Sequence, residues 1–203
     1  YHTQTECVLA AHFGLAADGQ AAADQLAKMI VSCGNHLETG FVGAPYLLHV
    51  LSDYGYEKLA YSLLLREEYP SWLYAVKKGA TTVWEHWDGI MEDGSFWSSD
   101  MNSYNHYAYG AVADWVYTVA AGIQTVEAAP GYKRIVIAPI PDARLDWLKA
   151  SVNTRRGLVS SEWRKEGDLW RYEITTPSET TVKVAGKEYL VSAGIHIFYG
   201  DIA

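Results

Sequence analysis

Halfway along this chain the spacing of its apolar residues changes, and that change constrains the fold more than any other feature. Up to about residue 121 apolar positions recur every three or four residues, the period of an amphipathic helix; after about residue 132 they alternate every second residue, the period of a half-buried strand. A chain that speaks one language and then the other folds as a helical layer followed by a separate sheet structure. The change falls near residues 124–131, which sets the expected domains at 1–126 and 127–203.

Within the first part, Thr3–Gly14 keeps Cys7, Leu9, Ala10 and Phe13 on one face. Asp18 reads as an N-cap for Ala21–Cys33, and Gly34 as its stop. Pro45, after the Gly-rich turn Thr39–Pro45, suits the start of a helix through Leu51. Tyr56–Glu68 and a short helix opened by Pro70 follow. The clearest pattern is Asn105–Ala121, with Asn105 as its N-cap and pairs such as Ala111/Val112 and Trp115/Val116 recurring every four residues. Short links between these segments predict about six helices in antiparallel hairpins. In the second part, Tyr132–Ala138, Leu169–Thr175, Thr180–Ala185 and Ile195–Tyr199 read as strands of an antiparallel sandwich, with Trp170, Tyr172 and Ile174 on one face.

Composition narrows the function classes. The 203 residues carry 16 Lys+Arg against 24 Asp+Glu, a net charge of −8 without a basic cluster, which argues against nucleic acid as a partner. No apolar run approaches a membrane span. The two cysteines, Cys7 and Cys33, form no disulfide framework, and the seven histidines show no metal-ligand spacing, so neither a metal nor a cofactor is implied. The chain opens on Tyr1 with no signal-peptide pattern, so a piece of something longer is expected and the compartment stays open. Trp and Tyr, at 8 and 15, far outnumber the 4 Phe; such rings suit a ligand with both C–H faces and hydroxyls, as a sugar has, and equally suit an ordinary core.

Chemistry concentrates in the long connection between Gly79 and Asn105, which holds Trp84, Trp87, Phe96 and Trp97 and five carboxylates. In Trp84-Glu85-His86-Trp87-Asp88 a carboxylate sits between indoles, where desolvation would make it a better base. Read from the residues alone, Glu85 is either such a base or a partner of Lys77, Lys78 or a backbone donor that only holds the loop. His106 is either a donor to a ligand hydroxyl or a local structural group. Asp88-Gly89 and Glu92-Asp93-Gly94 are turn signatures.

The blocks TQTE (Thr3–Glu6), TGFVGAPYLLHVLSDYGY (Thr39–Tyr56), EYPSWLYAVKKGATTVWEHWDG (Glu68–Gly89), DGSF (Asp93–Phe96), MNSYNHYAYGAVADW (Met101–Trp115) and APGYKRIVIAPIP (Ala129–Pro141) resemble the C-terminal part of bacterial α-L-rhamnosidases of the seventy-eighth glycoside hydrolase family. The resemblance implies the second half of an (α/α)6 catalytic barrel followed by a β-sandwich. It implies an inverting hydrolase that releases terminal α-L-rhamnose from a rhamnoside or rhamnose-containing oligosaccharide. It assigns Glu85 as the general base and His106 as a sugar contact, with Asn105, Trp84 and Trp87 as further candidate sugar contacts. The family's general acid lies in an upstream acidic motif that has no counterpart here. The implied partner is therefore the N-terminal part of the same protein, and the isolated chain is expected to be weakly active or inactive. A non-catalytic carbohydrate-binding module and a helical scaffold are the alternative readings.

Overall fold

The computed structural model describes residues 1–202 and divides into two compact units, Tyr1–Ala113 and the remainder from Asp114. The first is helical: α1 Gln4–His12, α2 Gly19–Ser32, α3 Ala44–Asp53, α4 Glu57–Leu64 and α5 Trp72–Lys77. Their starts follow local chemistry. The side chains of Thr3, Asp18 and Ser71 accept from backbone N–H groups in the first turns of α1, α2 and α5, and α3 carries Pro45 in its first turn. Ser71 and not Pro70 caps α5. The faces that pack together carry Val8, Leu26, Ile30, Leu47, Leu51 and Leu63, all fully buried.

The segment expected to be the most regular helix departs from that reading. Tyr107–Ala111 is a 3-10 turn, α6 covers only Val112–Trp115, and Val116–Ala120 is a π turn closed by Ala121 N–H donating to the Val116 carbonyl at 2.8 Å. The helix ends where other groups take its last carbonyls. Those of Thr118, Val119 and Ala120 accept from the Gln124 side chain, the Ile140 N–H and the Trp163 indole. Groups outside the helix thus take acceptors that a continuing α-helix would have used.

The second unit holds two four-stranded sheets. One has the order β1 (Ile123–Thr125), β2 (Ile135–Ile137), β6 (Thr180–Val184), β7 (Lys187–Val191); the other has β3 (Trp147–Thr154), β4 (Gly157–Glu166), β5 (Leu169–Thr176), β8 (Gly194–Asp201). Their inner faces meet in one core, to which the first sheet gives Ile123, Ile135, Ile137 and Val182 and the second Val159, Trp163, Tyr172 and Ile174. Every pairing is antiparallel except β2 with β6, which runs parallel from Ile135 opposite Thr180. A parallel neighbour requires a long crossover, and three strands of the other sheet form it. Gly122, at φ +72°, lets the chain enter β1 with its backbone against Ala138 and Pro139. Among the described residues, no helix is long and apolar enough to cross a membrane.

Candidate functional site

The connection from Gly79 to Asn105 holds no helix, yet the rest of the helical unit holds it in place. The Tyr74 hydroxyl donates to the Ile90 carbonyl and Lys78 to that of Glu92, each at 2.9 Å, while Tyr104, within the connection, donates its hydroxyl to the Gly89 carbonyl at 2.8 Å. The loop also closes on itself: Ile90 pairs with Phe96, and His86 stacks on Trp97 with ring centroids 3.7 Å apart.

Its two ends run side by side. Glu85 N–H donates to the Ser103 carbonyl at 2.9 Å, and His106 N–H donates to the Val83 carbonyl at 2.8 Å. These two bonds run residues 83–85 antiparallel to 103–106, with Val83 opposite His106 and Glu85 opposite Ser103, so the segments that carry Glu85 and His106 lie side by side although 21 positions separate the two residues in sequence. Both side chains are half-buried.

His106, and not Asn105, is the N-cap. Its Nδ1 accepts from the Ala108 N–H at 3.4 Å, while Asn105 is exposed and outside the turn. An imidazole whose Nδ1 accepts has Nε2 left to donate, the orientation a ligand hydroxyl needs. The Phe41 ring lies 6.0 Å from that of His106, which brings the loop after α2 to the same place.

Trp87 joins that loop to the Glu85 segment from the other side. Its indole N–H donates to the Thr39 carbonyl at 2.9 Å, and its ring stacks on Tyr109 at 3.7 Å and 14°. Trp72 meets Trp87 edge-on at 5.2 Å and donates its own N–H to the Tyr109 carbonyl at 2.8 Å. Trp84 is 5% exposed, edge-on to Tyr104, with its ring close enough to Gly89 that a Cβ there would lie 3.2 Å away. Trp84 and Trp87 share one wall of an apolar recess of about 310 Å³ with Trp72, Val76, Val83 and Tyr109.

Several groups around Glu85 escape a reading of the sequence. Burial pushes the Tyr109 hydroxyl up to about 12, and the charges of Tyr69, Asp88 and Glu85 add to that effect. Burial and Asp88 likewise raise the Tyr69 hydroxyl. Glu85, Asp88, Tyr69 and Tyr109 therefore share one electrostatic environment, with Tyr109 buried within it. The signal for Tyr109 was its place three residues after His106 in an aromatic block; nothing local marked Tyr69. Among the described residues no cluster of three or more His, Cys, Asp or Glu has the arrangement of a metal site.

Residues 1–120 match the family described as the bacterial alpha-L-rhamnosidase 6 hairpin glycosidase domain, and residues 122–192 match the bacterial alpha-L-rhamnosidase C-terminal domain. An alpha-L-rhamnosidase of Formosa agariphila is 42% identical over 184 residues, covering 90% of this chain and 20% of that protein. One of Streptomyces avermitilis is 41% identical, covering 90% of this chain and 18% of that protein. The chain thus spans about a fifth of the length of these curated relatives. The crystal structure of the Streptomyces avermitilis alpha-L-rhamnosidase complexed with L-rhamnose superposes with a TM-score of 0.90 at 34% identity, over 97% of this chain and 21% of that one. The native Aspergillus terreus α-L-rhamnosidase gives 0.91 at 33% identity, over 98% of this chain and 24% of that one.

Proposed function

The chain belongs to the bacterial α-L-rhamnosidase six-hairpin glycosidase family, and on that premise we propose that it is the C-terminal part of an enzyme that releases terminal α-L-rhamnose with inversion at the anomeric carbon. In this reading residues 1–120 complete a catalytic barrel and those from 122 on form a trailing sandwich domain. Glu85 takes a proton from water, which attacks the anomeric carbon as the bond to the leaving oxygen breaks. A general acid elsewhere in the full-length polypeptide protonates that oxygen. His106 donates Nε2–H to a sugar hydroxyl. Asn105 and Trp87 complete the sugar contacts, and Trp84, buried against Tyr104 and Gly89, backs the loop behind them. An inverting site keeps its two carboxyl groups about 6.5–9.5 Å apart, room for one water, so the partner carboxyl must arrive across the cleft from Glu85.

The observation that carries the proposal is the antiparallel backbone pairing of 83–85 with 103–106, which brings the segments of Glu85 and His106 together at the mouth of the long loop. Exposed Phe41, Val42, Val76, Val83 and Trp97 on the helical unit also fit a surface that further barrel helices cover.

The test is Glu85→Gln in the full-length enzyme. With an aryl α-L-rhamnoside, kcat should fall by about 10²–10⁴-fold with KM little changed, because only the proton acceptor is removed. Azide, a nucleophile that needs no base, should restore turnover and yield the inverted glycosyl azide. A kcat near the wild-type value would assign Glu85 to holding the loop and place the base elsewhere.

A further inference from the structure

The sheet β3-β4-β5-β8 gives alternate residues to the core, and the residues between them form its outer face. Its register lines those residues up across all four strands. Trp147 is opposite Arg164, Arg164 opposite Arg171, and Arg171 opposite Tyr199. Directly opposite residues project from the same face, so the four side chains make one row from edge to edge of the sheet, with a ring at each end and two guanidiniums between.

Both rings are presented to solvent, not packed. Trp147 is 65% exposed and Tyr199 52%, while their inward-facing neighbours Trp163, Trp170 and Tyr172 are buried. A large ring left in water adds little to the fold, and two at the ends of one row are not the scattered exposure of an ordinary surface. The guanidiniums are fixed between them. Arg171 holds Glu173 at 2.7 Å and reaches the Tyr199 hydroxyl. Arg164 is half exposed, with the Glu162 carboxylate at 3.7 Å, so its fork keeps N–H donors turned to solvent.

The chemistry of a ligand follows from the row. Neighbouring strands are about 4.8 Å apart, so the three steps from β3 to β8 set the two rings about 14 Å apart. That is the reach of a short extended chain of sugar rings crossing the strands. The C–H faces of such a chain cover the indole and the phenol, and its hydroxyls accept from Arg164. Charge selects among glycans. Lys149, Arg164 and Arg171 are matched on this face by Glu162, Glu166 and Glu173, and the chain as a whole carries −8. A self-neutralised face on an acidic protein disfavours a polyuronate and suits a neutral glycan.

We infer that the outer face of this sheet is a carbohydrate-binding platform that holds an extended neutral glycan across its strands, with Trp147 and Tyr199 as the stacking rings and Arg164 as the hydrogen-bond donor, a site built by the sandwich unit alone and independent of the glycosidase reading of Glu85.

Affinity electrophoresis of the full-length protein tests it, in native gels containing a rhamnan, a xylan or a mixed-linkage β-glucan, with polygalacturonate as the anionic comparison. At least one neutral polymer should retard the wild-type protein. Trp147→Ala and Tyr199→Ala should each raise the apparent Kd by about tenfold, and Arg164→Gln by about threefold. The same variants should keep kcat and KM for an aryl α-L-rhamnoside within about twofold. Retardation by none of the neutral polymers, retardation that survives loss of both rings, stronger binding of polygalacturonate, or an equal loss on the aryl rhamnoside overturns the platform. A protein that is retarded but does not cleave the aryl rhamnoside keeps the platform and loses the glycosidase reading. Thermal unfolding tests the rival occupant, another part of the same polypeptide packed on this face. With both rings in water, each alanine variant should move the midpoint by less than about 2 °C. A drop of several degrees means that a protein layer covers the face, and overturns the platform.

Discussion

Trp87 offers a direct way to separate a structural post from a sugar platform. Its half-buried ring is fixed at three points: the N–H bond to the Thr39 carbonyl, the face-to-face stack on Tyr109, and the edge contact with Trp72. Trp87→Phe keeps a ring on Tyr109 but leaves the Thr39 carbonyl without its donor, at a cost of about 1–3 kcal/mol. Trp87→Ala removes both ring contacts as well, and the loss should approach the roughly 3–5 kcal/mol of a large-to-small change in a core, toward the lower end because the ring is only half-buried. Urea unfolding of the helical unit, followed by far-UV circular dichroism, reads both values. A double-mutant cycle with Tyr109→Ala should return a coupling of about 0.5–1.5 kcal/mol for the stacked pair. The same bond ties the 36–42 loop to the Glu85 segment, so hydrogen exchange at residues 39–42 should speed up in the Phe variant, with Phe41 loosened beside His106. If Trp87→Phe leaves stability and exchange unchanged, the Thr39 bond does not hold the loop and the structural account is wrong.

Gly122→Ala should unfold or severely destabilise the sandwich unit. A Cβ there would fall 2.1 Å from the Pro139 nitrogen and 2.2 Å from the Ala138 carbonyl carbon, both backbone, at a φ of +72°. We expect a loss of about 3 kcal/mol or more, and a variant that melts like wild type would mean that the 138–139 strand exit is free to move. Alkaline titration tests two buried phenols. Tyr109 and Tyr172 are each pushed up to about 12 by burial, from an ordinary value of 10.0. The unfolded chain gives up these protons first, so their contribution to stability is intact below about pH 10 and lost between about 10 and 12, to the extent of about 2–3 kcal/mol for each unit. Absorbance at 295 nm should show these two lagging the other tyrosines; a single transition near the ordinary value with the fold intact would refute the burial argument.

The parts of this protein legible in its sequence are those set by near neighbours. Asp18 caps α2 because a carboxylate three residues before an amide can reach it, wherever the helix later docks. The alternation of Trp170, Tyr172 and Ile174 already fixes which face of β5 is buried. The order of helices and then strands follows from a change of period, and the blocks around Glu85 and His106 pointed to the same family that residues 1–120 match.

Other strands were hidden because their local signal is weak. The inner face of β4 includes Ser161 beside Val159 and Trp163, which breaks the apolar alternation. Most of β7 is exposed, so it has no inward face to announce it. The parallel pairing of Ile135 with Thr180 depends on a crossover through a second sheet. The end of the helix after Ala120 is met by Trp163 and Gln124, which reach back to carbonyls that a longer helix would have kept.

The site divides in the same way. Residue types around Glu85 are local, but the approach of its segment to that of His106 is made by backbone pairing across a long loop, and Tyr69, Thr39 and Tyr109 come from three separate segments. Helical and strand periods are written by contacts a few residues apart, so the sequence alone determined them. A cleft is lined by groups whose separation along the chain has no bearing on their distance in space, and only packing brought them together.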